Sequence, residues 1–390
     1  SVFEKFDSES MKKFIKHKLC STLPRGKKRL IQRFGRWYYE PLNDADFEAR
    51  FDSLVKIVPK LNDESEFDAL CADTQNERYQ LDDGMPFRFV LVEDSHIPNS
   101  SILMVCINHC FGDGITWIGC INAVAENGFE DLAKFRHDIG FNPVLELAGM
   151  ARGIKYFFEL LMSIDSGKKS QPDPKREYVF SREFEMAKMK GACKGMKAPF
   201  QASFFAILST ALAEFYRRHD VKDDKITIAS AFSLKPIITK IDEMRSCNNI
   251  VQSFTDLQIS DDVMTAVKKV PKPDFVGAYG MYYRAAILTN LPFGYGAWLL
   301  AKARPAKNVW FAYSSVPIAM NHLVVNGSKM TASTSILRPG AKGSCSICAG
   351  TVGNSMTYAM VADKDKNYRE LLEIIEQKTD EFINAAQSGK

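Results

Sequence analysis

The stretch SILMVCIN at residues 101 to 108 is apolar along nearly its whole length and shows no polar alternation. A run of that length suits a strand covered on both faces, so the chain has to supply layers of structure on either side of it. ITWIGCINAVAEN, residues 115 to 127, reads as a helix that follows almost at once. A doubly buried strand feeding a helix through a short connection belongs to an α/β architecture.

The same reading extends along the chain. Leu81-Asp82-Asp83-Gly84-Met85-Pro86 is turn chemistry, and FRFVLVED (87 to 94) after it is rich in strand formers. Between 144 and 164 the apolar residues recur at intervals of one, three and four, which predicts an amphipathic helix. A second helix is predicted over 203 to 218, with Arg217 and Arg218 at the end where cations complement the helix dipole. Strands are predicted at 225 to 232, 308 to 316, 322 to 334 and 355 to 363, with Asn326-Gly327 as a hairpin turn, and a helix closes the chain from Tyr368 to Ala386. The polar stretch SGKKSQPDPKR has the composition of a linker. The expected division is therefore 1–165 and 185–390, two mixed α/β domains of similar size joined by a crossover over 166–184.

With 390 residues, 46% of them apolar, and 51 basic against 47 acidic side chains, the chain is long enough for two cores and has neither disordered, collagen-like nor coiled-coil composition. A net charge of +4 gives no indication of nucleic-acid binding, and no run of about 18 apolar residues is present to span a bilayer. Charge is nonetheless segregated. Residues 12 to 36 hold ten Lys or Arg and no acid, while 61 to 94 hold ten acids against Arg78 and Arg88. The basic stretch suits either a solvated face or contact with an anionic lipid surface or an acidic cofactor such as coenzyme A. Nine scattered cysteines, several inside apolar runs, predict thiols in a reducing, intracellular compartment, and SVFEKFDSES lacks the pattern of a secretory signal.

The residues richest in chemistry are Asn108-His109-Cys110-Phe111-Gly112-Asp113-Gly114. They set a His at the C-terminal end of a buried strand, where open α/β sheets place their ligands. An imidazole, which ordinarily titrates near neutrality, can take a proton from a hydroxyl or thiol there. An Asp four residues on can brace the loop, and Gly114 is expected to let the chain turn tightly into the next helix.

H-x-x-x-D-G after an apolar strand in a two-domain α/β chain resembles the coenzyme-A-dependent acyltransferase superfamily. Within it the chain most resembles the wax ester synthase/diacylglycerol acyltransferase family. LPRGKKRLIQRFGRWYYEPLNDADFEARF (23 to 51) is similar to that family's opening segment, and DDGMPFRFVLVED (82 to 94) to its P-L-W segment. KITIASAFSLKP (225 to 236) is similar to the strand ending in P-V-S-x-R, and Cys247-Asn248-Asn249 to its G-N. AYSSVPIAMNHLVVNG (312 to 327) is similar to the S-N-V-P-G-P signature with its following strand, and SICAGTVGNSMTYAMVADKD (346 to 365) to the closing strand pair. The chain also departs from the pattern. The first of two adjacent His is Asn108, N-D is Gln201-Ala202, and the signature reads Ser314-Ser315-Val316-Pro317-Ile318-Ala319. SVFE resembles the tail of the family's first strand, which implies that the strand begins further upstream.

The resemblance implies two chloramphenicol-acetyltransferase-like domains with the active-site channel between them, thioester and alcohol entering from opposite sides. It implies an O-acyltransferase that moves a long-chain acyl group from acyl-CoA, a co-substrate and not a bound cofactor, to a fatty alcohol or diacylglycerol. His109 would be the general base in direct transfer, Asp113 would orient the loop, and Ser233 and Asn249 are candidates for oxyanion or acceptor contacts. Expected partners are a peripheral membrane or lipid surface, served by the helix 144 to 164, LPFGYGAWLLA (291 to 301) and the basic stretch, and a protein complex. The competing reading, motivated by the departures, is a non-catalytic subunit or lipid-binding scaffold in a larger assembly.

Three weaker signals are set aside. Pro292-Phe293-Gly294-Tyr295-Gly296 is similar to the D-F-G-W-G element of plant alcohol acyltransferases but lacks its Asp. Cys345 and Cys348 have no second pair to complete a zinc site and lie in a predicted strand, so no metal is expected. His17, His96, His137, His219 and His322 show no ligand spacing.

Overall fold

The computed structural model describes residues 1–34, 36–77, 79, 82–129, 132, 142–164, 175–233, 236–244, 250–272, 274–291, 295–302, 309–337, 344–364 and 367–387. Its strands are β1 (Val2–Glu4), β2 (Lys28–Arg33), β3 (Arg36–Pro41), β4 (Val55–Lys60), β5 (Phe87–Asp94), β6 (Ser100–Ile107), β7 (Arg176–Phe180), β8 (Phe184–Glu185), β9 (Lys225–Ser233), β10 (Ile250–Gln258), β11 (Val309–Ala319), β12 (Val324–Val325), β13 (Ser328–Ala332), β14 (Cys345–Val352) and β15 (Ser355–Asp363).

They form two mixed sheets and a separate β2–β3 hairpin. The first sheet runs β12-β13-β1-β6-β5-β4, and the second runs β10-β9-β11-β14-β15-β7 with β8 also beside β15. β4 is parallel to β5, and β11 is parallel to both β9 and β14; the other pairs are antiparallel. Each sheet is flanked by helices, so the architecture is a two-sheet mixed α/β one.

The second sheet packs on the helices Phe200–Arg218 and Tyr368–Gln387, burying Phe204, Tyr313, Tyr358, Leu371 and Phe382. β14 is buried at all eight positions, which is why its sequence shows no alternation. The first sheet packs on the helices Ser8–Phe14 and Gly114–Val124, and that core also takes in Ile318, Leu323, Val325 and Val352 from the second half of the chain.

Two expectations about chain division need correction. Arg176–Phe180, inside the expected crossover 166–184, is β7, an edge strand of the second sheet hydrogen-bonded to β15. Residues 165–174, the rest of the polar stretch, lie outside the described residues. The predicted strand at 322 to 334 is a hairpin at the far edge of the first sheet, with β13 paired to β1. Residues 324–332 of the second half are therefore part of the first sheet. At the hairpin tip Asn326 (φ 51°) and Gly327 (φ 74°) are both left-handed, as a two-residue type I′ connection requires.

Candidate active site

β6 delivers His109 to the edge of the first sheet, and the loop that carries it is fixed from several directions. The Asn108 N–H donates to the carbonyl of Pro86 at 2.8 Å, and its own carbonyl accepts from the Phe111 N–H at 2.8 Å. The Asn108 side chain accepts from the Cys110 N–H at 3.1 Å. This is the Asx-turn that an Asn offers and a His in its place would not. Arg25 donates to the Cys110 carbonyl at 2.7 Å, and the Tyr39 hydroxyl donates to the same oxygen at 2.9 Å. The guanidinium of Arg25 lies 4.4 Å from the Tyr39 ring centroid. The basic segment and the hairpin thus clamp the loop, while the exposed His109 side chain reaches the cavity described below.

The rest of the basic stretch is largely neutralised locally. Lys12 pairs with Asp52, Lys16 with Glu48, Lys27 with Asp44, Arg29 with Glu40 and Asp83, and Arg33 with Glu40.

Asp113 is buried and caps the helix Gly114–Val124, hereafter the site helix. Its carboxylate accepts from the Thr116 N–H at 2.9 Å and from the Thr116 hydroxyl at 3.2 Å. A carboxylate at this end also complements the helix dipole. The Asp113→Ala variant is expected to lose about 1 kcal/mol of stability, within the usual span for a removed cap, measured by urea unfolding. Activity should fall with it, and Asp113→Asn, which keeps an oxygen for Thr116, should recover most of the activity. Such a rescue identifies Asp113 as a positioning residue.

The glycines need a correction. Gly114 occupies the first helical turn, and a Cβ there would meet only Val316 Cγ2, at 3.9 Å, an ordinary contact. The close approach falls at Gly112 instead, where a Cβ would come within 2.8 Å of the Thr116 side chain. Gly114 lines the cavity, so the missing side chain leaves space there.

The site helix is stitched to the second sheet. Asn122, buried, donates to the carbonyls of Ile118 at 2.8 Å and Ile318 at 3.0 Å. A Cβ at Gly119 would meet Ile238 at 2.8 Å. These contacts hold the end of β11, with Ser314-Ser315-Val316-Pro317-Ile318-Ala319, against the helix that follows His109.

Between the sheets lies a cavity of about 710 Å³. His109, Asp113, Gly114 and Trp117 line one end, and His96, Ile97 and Arg182 the other. Ile102, Met104 and Cys106 of β6, Phe67, Phe180 and Ile336 form apolar walls between them. Since His96 precedes β6 and His109 follows it, the cavity runs the length of that strand, roughly 26 Å for eight residues.

The structure brings His109, Asp113 and Gly114 together at this cavity but not Ser233, which ends β9 opposite Ile250 and is absent from the described lining. Asn249, with Cys247 and Asn248, lies outside the described residues, as do Pro292 to Gly294. Trp117, one turn along the site helix, also lines the cavity; the motif did not reveal it, because Ile115 to Asn127 reads simply as an apolar helix. Arg25 and Tyr39 were missed for another reason: each acts on the loop from 71 residues or more away.

Among the described cysteines only Cys110 is exposed. Burial raises its thiol above the ordinary range, with Tyr39 and Arg25 pulling the other way. A maleimide should therefore label Cys110 at a rate that keeps rising past pH 9, and prior incubation with acyl-CoA should slow the labelling. Peptide mapping with and without acyl-CoA checks both. Cys345 and Cys348 are fully buried, with the Cys348 thiol pushed up to about 12, and no group of three metal-ligating side chains occurs among the described residues.

No family profile and no curated protein sequence matches the chain. Solved structures do match over nearly its full length. A trichothecene 15-O-acetyltransferase from Fusarium sporotrichioides superposes with a TM-score of 0.63 at 11% identity, covering 98% of this chain and 89% of that one. The starter condensation domain of rhizomide synthetase, a mutant in complex with C8-CoA and Leu-SNAC, gives 0.56 at 10% identity, covering 99% and 88%. A wax ester synthase/diacylglycerol acyltransferase from Marinobacter aquaeolei gives 0.54 at 12% identity, covering 99% and 93%. The chain has the fold of these three structures, the fold that the resemblance implied.

Proposed function

We propose that the protein is an O-acyltransferase that moves a long-chain acyl group from acyl-CoA to a hydroxyl acceptor of the fatty-alcohol or diacylglycerol class. The observation that carries this reading is His109 on a clamped loop at one end of an apolar cavity about as long as β6. The apolar wall of Phe67, Ile102, Met104 and Phe180 suits a hydrocarbon chain. The fold is one in which a structure was obtained with C8-CoA, which agrees with a thioester donor.

His109 takes the proton of the acceptor hydroxyl as its oxygen attacks the thioester carbonyl, forming the C–O bond. The tetrahedral intermediate then collapses with cleavage of the C–S bond, and the imidazolium returns the proton to the departing thiolate of coenzyme A. No covalent enzyme intermediate is required. The carboxylate of Asp113 already occupies the N-terminus of the site helix, so the donor for the developing oxyanion has to come from elsewhere on the wall. The indole N–H of Trp117 is the candidate we assign, in place of Ser233.

The test is to incubate the purified chain with a long-chain acyl-CoA and, separately, a fatty alcohol or a diacylglycerol, following thiol release and ester formation. Ester formation with either acceptor supports the reading. A folded protein that releases no thiol with any acceptor overturns it and favours the scaffold alternative.

A further inference from the structure

The helix Pro143–Met162, the outer helix, packs on the helix Phe275–Asn290 through its glycine face. A Cβ at Gly149 would come within 2.4 Å of Tyr279, and one at Gly153 within 2.6 Å of Tyr283. The Tyr283 hydroxyl also donates to Glu146. Glycine-mediated close packing fixes the rotation of the outer helix. Its outward side then carries Val144, Leu147, Met150, Ile154, Phe158 and Met162, which are 43% to 80% exposed. These positions recur at intervals of three and four over the whole helix, an apolar ridge about 30 Å long. Lys155 and Glu159 border it and pair with each other.

The short helix Tyr295–Lys302 joins the C-terminal end of this ridge through the buried Leu160, Leu288 and Leu299. It exposes Tyr295 and Trp298, whose ring centroids are 5.1 Å apart. Aromatic rings with one polar atom favour the boundary between hydrocarbon and water. No described helix is long and apolar enough to cross a membrane.

We infer that this ridge is a docking surface for a phospholipid bilayer, with the outer helix lying in the plane of the interface. Two observations favour lipid over a second copy of the chain. Two such ridges apposed would bury roughly 600 Å² in total (about 30 by 10 Å each), half of what a stable dimer needs. The aromatic pair also stands at one end of the ridge, as interfacial anchors do. With Lys155 and Glu159 paired along its border, the surface binds through apolar insertion. The expected contribution of the basic stretch 12 to 36 is not needed, in keeping with the ion pairs that occupy much of it.

The test is flotation of the full chain with vesicles of phosphatidylcholine alone, at low and at 0.5 M salt, a readout independent of catalysis. The Leu147→Glu/Phe158→Glu variant changes exposed side chains only, so its unfolding curve should match wild type. Binding at both salt concentrations, reduced in the variant on the order of tenfold or more, with a blue shift of Trp298 emission lost in Trp298→Phe, is the expected result. Wild type that stays with the soluble fraction overturns the proposal, as does binding that requires phosphatidylserine and disappears in salt. A dimer by light scattering that the variant converts to monomer, without vesicle binding, assigns the ridge to a second copy.

Discussion

His109→Ala is expected to lower kcat for ester formation by roughly 10² to 10⁴, the usual span for a lost general base, while leaving KM for acyl-CoA within a few-fold. The argument is geometric. His109 is exposed, and its loop is held by Asn108, Arg25 and Tyr39 through contacts that the substitution leaves in place. Folding should therefore be indifferent to the change. A variant whose unfolding midpoint is unchanged and whose thiol release has collapsed isolates the chemical step. If the loss appeared mainly in KM, His109 would be a binding residue and the proton transfer would have to be assigned elsewhere.

The second large effect concerns stability. Arg176 of β7 and Asp363 of β15 are register partners at the edge of the second sheet. Their Nη1 and Oδ1 atoms are 2.6 Å apart, with the side chains 2% and 1% exposed. Arg176 also reaches toward the Ser344 carbonyl at 3.5 Å. Removing one partner leaves a charge with no water to solvate it, so Asp363→Ala is expected to cost about 3 to 5 kcal/mol. Replacing both, as Arg176→Met/Asp363→Leu, should cost far less, because a well-packed apolar pair needs no compensation. Urea unfolding of the two variants distinguishes a dependence on pairing from a dependence on this site in general. Because β7 ends in Phe180, a wall residue of the cavity, the single variant should also lose activity at temperatures below its unfolding midpoint.

What the sequence revealed follows from how each feature is encoded. β6 was legible because a nearly continuous apolar run suits a strand covered on both faces, β5 because it is rich in strand formers and follows a turn, and the Asn326-Gly327 hairpin because left-handed backbone selects those residue types. β1 was legible only as a resemblance. Its place between β6 and β13 joins residues more than 300 positions apart, and no local pattern specifies such a pairing. β7 was hidden by the polar stretch before it, since its Arg176 is a buried ion-pair partner that composition counts as solvent-exposed. The helix Phe275–Asn290, FVGAYGMYYRAAILTN, has glycines and aromatics that propensity disfavours. Packing against Gly149 and Gly153 stabilises it in spite of that.

The candidate site shows the same division. His109, Asp113 and Gly114 are contiguous, so the motif exposed them together. The residues that hold them come from Arg25, from Tyr39 and, through Asn122, from the end of β11, and only the folded chain brings these to one place. Asn108, which stands as a departure from the family pattern, has a visible job in the turn. Its presence leaves His109 as the one His of the motif loop.

The most direct test is a single-turnover experiment in which enzyme in excess over a long-chain acyl-CoA is mixed with a fatty alcohol and quenched over time. Ester, free coenzyme A and the intact protein mass are measured at each point. The expected result is one ester per coenzyme A released, both appearing with the same rate constant, and a protein mass unchanged throughout. A transient acyl adduct would contradict direct transfer by His109, and a folded protein that neither releases coenzyme A nor forms ester would contradict the assignment of acyl transfer itself.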